Sequence, residues 1–258
     1  MAAMTPLDLF HEARLTEALA AQREVVEARP DDAAERLTLC EFLTFAGHRA
    51  EARIHLDAIE PDTDEMADYV AEWHDLLDAD TARHSSAEPT YLIPPPAYLA
   101  LRREALARIA AGDDTGLDAL AEADEAAPHL EGHVDGRPFD GWRDTDDVGG
   151  PTLELVIGGR LTCLPMEHLG KLRLSPAEVP RDTLYRPGVV RLSDGRTFNA
   201  YVFGLYVGTA DHDEDGLRIG AGVDWVERGE LMRGVGLKTF LFGDEELSLD
   251  EFSQVELG

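Results

Sequence analysis

Three prolines, each closing an alanine- and glutamate-rich stretch, constrain this chain more than any other feature. Pro30 follows Val25-Val26-Glu27-Ala28-Arg29, Pro61 follows Leu56-Asp57-Ala58-Ile59-Glu60, and Pro128 follows Ala123-Asp124-Glu125-Ala126-Ala127. Proline has no amide hydrogen and its ring clashes with the preceding turn, so each one stops a helix. Asp31-Asp32 and Asp62, just past the first two stops, are suited to capping the next helix. The spacing of those two stops is close to the ~34-residue period of tetratricopeptide-type (TPR) repeats, which predicts a degenerate TPR-like array.

The apolar pattern fills in the helices. Ala33, Leu37, Cys40, Phe42, Leu43 and Phe45 form a stripe over residues 31–46, closed by Gly47, and residues 48–59 supply the returning helix. Met66, Tyr69, Val70, Trp73, Leu76 and Leu77 recur at helical offsets and predict a helix over residues 64–78. Residues 83–96, with Ser85-Ser86 and Pro94-Pro95-Pro96, read as a connector, after which helices resume over 97–111 and 115–127. From Gly132 the texture changes to glycine, valine, threonine and aromatic residues in short alternating runs, the signature of strands. Residues 153–157 and 160–164 flank Gly158-Gly159, and residues 189–192 and 197–203 flank a turn with Asp194-Gly195, so two hairpins are predicted. Residues 237–242 and 252–257 supply later strands. The expected fold is therefore α+β: a TPR-like helical-repeat domain over residues 1–130, packed on a mostly antiparallel β domain over residues 131–258.

Charge narrows the function. The chain has 52 acidic and 23 basic residues, a formal net charge of -29, which makes a phosphate backbone or an anionic membrane an unfavourable partner. No apolar run approaches the roughly 20 residues that span a bilayer, and residues 1–10 carry no basic segment followed by an apolar stretch. Cys40 and Cys163 lie in different halves, each in an apolar run, as free buried thiols do. A cytoplasmic protein is expected.

No local motif points to catalysis. Asp211-His212-Asp213-Glu214-Asp215-Gly216 opens like a calcium loop, but the twelfth loop position is Gly222 rather than the bidentate glutamate, so a solvated acidic turn is expected. His129 and His133 have a helical spacing, but Pro128 and Gly132 break any helix there. Gly149-Gly150 and Gly158-Gly159 lack the lysine and hydroxyl residue of a phosphate loop. No metal or other cofactor is expected. Two segments mix arginine, aspartate and an aromatic ring: Gly141-Trp142-Arg143-Asp144-Thr145-Asp146-Asp147 and Pro180-Arg181-Asp182-Thr183-Leu184-Tyr185. They are expected to be structural pairs fixing loops, with Trp142 and Trp225 as core anchors; a small-ligand or enzyme pocket near Trp142, Asp144, Arg181 and Asp182 is the alternative.

The order of features resembles the ImpE family, also called TagJ, of bacterial type VI secretion systems. In the first half the resemblance rests on Ala28-Arg29-Pro30-Asp31-Asp32, Arg36-Leu37, Cys40-Glu41-Phe42-Leu43-Thr44-Phe45-Ala46-Gly47, Ala52-Arg53 and Leu56-Asp57. In the second it rests on Asp135-Gly136, Phe139, Trp142, Asp144-Thr145-Asp146, Gly150-Pro151-Thr152-Leu153-Glu154, Pro165, Pro180-Arg181-Asp182, Leu217-Arg218, Asp224-Trp225 and Gly234-Val235-Gly236 before Asp244-Glu245-Glu246. The chain departs from the family pattern at Gly149-Gly150-Pro151, where the family tends to Leu-Gly-Pro, and at Gly236-Leu237-Lys238, where it tends to Gly-Gln-Arg. The resemblance implies a non-enzymatic adaptor that binds the small subunit of the contractile sheath and assists sheath recycling by an AAA+ ATPase. Paired helices leave grooves that take a helix or an extended peptide. Phe42, Phe45, Tyr69 and Trp73 are the candidates for lining such a groove, against the ordinary expectation that a helical aromatic stripe packs in the core.

Overall fold

Each stop and cap in the first half acts on the backbone as its chemistry requires. In this computed structural model, which describes residues 4–85 and 88–258, α1 (Pro6–His11) opens with Thr5 accepting from the Asp8 amide and Asp8 accepting in return. Helix α2 (Leu15–Ala28) ends before Pro30, and Asp32 caps α3 (Ala33–Phe45) by accepting from the Glu35 amide. Gly47 closes α3 at a φ of 78°, which only glycine adopts freely. Helix α4 (Arg49–Asp57) returns, and Thr63 caps α5 (Asp64–His84), which runs past the expected end near residue 78. Each helix from α1 to α5 packs on the next.

The connector after α5 is more than a spacer. Ser86 and Ala87 within it lie outside the described residues, but Thr90 pairs in parallel with Thr162, adding a bridge to the sheet. Helices α6 (Ala97–Ala110) and α7 (Thr115–Glu125) then form a pair that packs chiefly on itself. Its fixed point is Arg102, 4% exposed, which donates to Asp124 at 2.7 Å, to the Val148 carbonyl at 2.7 Å and to the Asp147 carbonyl.

The second half is antiparallel throughout its paired strands. These are β1 (Glu131–Val134), β2 (Arg137–Asp140), β3 (Trp142–Asp144), β4 (Thr152–Ile157), β5 (Arg160–Pro165) and β6 (Leu169–Leu174). After the one-turn helix α8 (Pro180–Leu184) come β7 (Tyr185–Leu192) and β8 (Thr197–Phe203). A second one-turn helix, α9 (Asp215–Arg218), precedes β9 (Val223–Arg228), β10 (Leu231–Gly236), β11 (Thr239–Phe242), β12 (Glu245–Ser248) and β13 (Gln254–Leu257). Eight strands form one sheet in the order β2-β1-β13-β6-β7-β8-β4-β5; β12-β11-β3 form a second, and β9-β10 a two-stranded ribbon. The β4–β5 turn is Gly158-Gly159, both at positive φ, as a two-residue hairpin turn requires.

One hydrophobic core crosses residue 130. Phe10 stacks on Phe42 at 5.0 Å, Trp73 meets Tyr185 edge-on at 6.1 Å, and Tyr185 meets Phe203 at 5.9 Å, carrying packing from α1 through α5 into β7 and β8. A separate aromatic group, Phe139, Trp142, Phe240, Phe242 and Phe252, joins the small sheet to the large one.

Candidate functional site

The helical and β halves meet at a buried group of charges. Arg83, near the end of α5, donates from Nε to Glu154 at 2.9 Å and from Nη1 to the Leu205 carbonyl at 3.1 Å, and lies over the Phe203 ring at 4.6 Å. Lys238 donates to Asp144 at 2.8 Å and stands 3.5 Å from Glu154. The Tyr206 hydroxyl donates to Asp144 at 3.0 Å, while Asp146 takes Arg233 and the Gly234 amide, both at 2.8 Å. Burial alone would raise the Glu154 carboxyl, but Arg83 and Lys238 outweigh it and hold the pKa at about 2. Burial pushes the Asp144 carboxyl up despite Lys238, and raises the Cys163 thiol to about 11, so it is a poor nucleophile. Three cations and three carboxylates satisfy one another here. Such a group fixes how α5, β3 and β4 sit together.

The residues singled out from the sequence fall into separate places. Trp142 is in the aromatic core and Asp144 in the charge group. Arg181 lies over the Tyr69 ring at 4.4 Å and beside Glu72 at 2.9 Å. Asp182 accepts from the Glu178 amide at 2.9 Å and the Val179 amide, closing the start of α8. Trp225, on β9, is half-buried against Tyr206, with ring centres 5.9 Å apart. Trp142 and Asp144 on one side and Arg181 and Asp182 on the other share no partner and line no common pocket. In the acidic turn, Asp215 accepts from the Thr16 amide at 2.8 Å and the Thr16 hydroxyl at 3.1 Å, tying α9 to the start of α2.

Of the four aromatic groove candidates, three are corrected by their burial. Phe42 and Trp73 are 0% exposed and Phe45 1%; the stripe faces inward because α1 covers α3 and the sheet covers α5, so these rings cannot line an open surface. Tyr69 remains half-buried and does line a groove.

That groove, of about 480 Å³, runs between α3 and the start of α5, with α1 and the segment before α8 as its ends. Its apolar wall is Leu7, Ala34, Leu37, Met66, Val179 and Pro180. Leu7 at 42% and Val179 at 43% are among the most exposed large apolar side chains of the described residues. On its floor sits Glu41, itself 6% exposed. Burial is the largest influence on that carboxyl; the Arg181 charge and backbone amide draw it down and Asp182 pushes it up, leaving a pKa of about 8. The sequence held one sign of this: Glu41 interrupts the apolar run of Leu39-Cys40 and Phe42-Leu43. Leu7 and Val179 gave none, because they reach the groove from distant parts of the chain.

Similarity to known proteins follows the same lines. Residues 136–256 match the family described as ImpE protein. The chain is 28% identical over 259 residues to the Type VI secretion system accessory component TagJ of Pseudomonas aeruginosa, covering 98% of this chain and 91% of that protein. A crystal structure of a Vibrio parahaemolyticus protein superposes with a TM-score of 0.87 at 20% identity, over 98% of this chain and 97% of the other, so the two share a fold. No helix among the described residues is long and apolar enough to cross a membrane.

Proposed function

Because this chain belongs to the ImpE/TagJ family, we propose that it is a non-enzymatic accessory protein of a bacterial type VI secretion system. On this reading it works in the cytoplasm, binds the small subunit of the contractile sheath, and in doing so assists recycling of contracted sheath by the AAA+ ATPase. The helices α1–α5 are read as a TPR-like array within residues 1–130 that supplies the binding surface, while the β domain of residues 131–258 backs it through the shared core. The observation that carries this reading is the open apolar groove between α3 and α5, the kind of surface that takes one face of an amphipathic helix. The mutual pairing of charges at the seam of the two halves supports a structural rather than a catalytic role for those residues.

The core crosses residue 130, so the test uses the full chain. Replacing the two exposed rim residues together, Leu7→Ser with Val179→Ser, removes apolar contact area without touching the core. Titration calorimetry with the purified small sheath subunit is expected to show a loss of binding on the order of tenfold or more at an unchanged melting temperature. Equal affinities for the variant and the parent protein would refute the groove as the binding site.

A further inference from the structure

An apolar groove by itself admits any amphipathic segment, and this one has a feature that discriminates. Glu41 stands in the middle of α3 with its carboxyl on the groove floor and 6% of its surface exposed. Among the described residues no side chain pairs with it. The cation that acts on it is Arg181, whose guanidinium lies over Tyr69 with Nη1 2.9 Å from Glu72 and without the alignment of a hydrogen bond. Arg181 is also 3.9 Å from Asp182. One guanidinium thus stands among three carboxyl groups, and among the described residues its Nε and Nη1 donate a hydrogen bond to none of them.

A buried carboxyl without a full partner is costly, and a cation brought by a ligand would complete it. The Glu65 side chain on the groove wall and the chain's net charge of -29 favour the approach of the same sign of ligand. We propose that the groove selects a segment that carries a lysine or arginine within its apolar face, and that Glu41 receives that cation. The proposal rests on the reading that this groove holds the sheath-subunit segment, and it names what the groove distinguishes: a helix with an uninterrupted apolar face is rejected relative to one with a cation at the matching position.

The test is a double-mutant cycle read by calorimetry, with the full chain and the purified small sheath subunit. Glu41→Gln keeps the shape of the side chain and removes its ability to ionise opposite the ligand's cation, and its melting temperature shows whether the fold is intact. Glu41→Gln is expected to weaken binding on the order of tenfold, about 1.4 kcal/mol. Among Lys→Met and Arg→Met substitutions in the sheath subunit, one should cause a similar loss that adds little in the Glu41→Gln background. Unchanged affinity for Glu41→Gln, with binding lost in Leu7→Ser/Val179→Ser, overturns the cation and keeps the groove. A weakened Glu41→Gln that is coupled to no lysine or arginine also overturns it. If neither groove variant weakens binding, both the inference and the reading beneath it fail.

Discussion

The ring of Tyr206 occupies the space where a side chain on Gly234 would stand. A Cβ added at Gly234 would fall less than 3.0 Å from three atoms of that ring, and the same tyrosine carries the hydroxyl that donates to Asp144. The glycine therefore lets β10 lie flat on Tyr206 while the Gly234 amide donates to Asp146. Gly234→Ala is expected to displace the ring and destabilise the fold by about 1–3 kcal/mol, the usual penalty of overpacking. Urea unfolding measures it, and a midpoint equal to that of the parent protein would contradict this account.

Phe42 and Tyr69 separate core from groove. Phe42 is wholly enclosed and stacked on Phe10, so Phe42→Ala should cost about 3–5 kcal/mol. Tyr69→Ala removes a half-buried ring that lines the groove and lies under Arg181; it should cost less stability and more of the affinity proposed for the sheath subunit. Paired unfolding and binding measurements give the comparison, and an equal loss of stability in both variants would place Tyr69 in the core with Phe42.

What the sequence revealed was local, and what it hid was distant. Gly158-Gly159 and Asp194-Gly195 located two hairpins because a turn needs positive φ within a few residues, and both Gly159 and Gly195 adopt it. Residues 97–111 and 115–127 were legible from period and punctuation alone. Helix α8 was not: Pro180 opens it, yet one turn is too short to show a period, and the segment reads as a polar loop. The ribbon β9–β10 and the strands β1, β2, β3, β6 and β12 were also missed, although for β1 and β2 the signal was present: the turn between them is Asp135-Gly136, both at positive φ. The aromatic stripe was read correctly as periodic, but which side of α3 and α5 is covered depends on α1 and the sheet, not on the helices themselves. The charge group was invisible because Arg83 and Glu154 are 71 residues apart. Lys238 supplies the positive charge that Asp144 and Glu154 require.

The seam is expected to be intolerant of half-removal. Glu154→Gln leaves Arg83 buried with its carbonyl and aromatic contacts but without its counter-charge, and weakens the hold on Lys238. Because the Glu154 side chain is 32% exposed, the loss is expected below that of a fully enclosed pair, at about 1–3 kcal/mol. A double variant, Arg83→Met with Glu154→Gln, removes both charges and should recover part of that loss. Chemical denaturation of the three variants checks this; a double variant no more stable than Glu154→Gln would show that the pair's partners matter more than its balance.

Opposite pH dependences meet in this fold. Glu154 and Asp80 have folded pKa values of about 2 against ordinary values of 4.5 and 3.8: burial raises both, and Arg83 with Lys238 in one case, His84 with Arg49 in the other, overcome it. Carboxyls depressed in the folded state stabilise it fully above their unfolded values and lose that contribution as the pH falls toward 2. Glu41 runs the other way. Its folded pKa of about 8 lies above the ordinary 4.5, because burial and Asp182 outweigh the Arg181 charge and amide. The folded state then holds a proton that the unfolded chain gives up, so the Glu41 contribution is full below about pH 4.5 and declines as the pH rises to 8. Glu41→Gln, which never ionises, should remove that decline: relative to the parent protein, the variant gains stability between pH 5 and 8 and gains nothing further above it. Urea midpoints taken from pH 4 to 9 for the two proteins isolate this group, because the self-repulsion of the remaining acidic surface is common to both. A difference between them that stays flat across the range would mean that the Glu41 carboxyl is already ionised in the free groove.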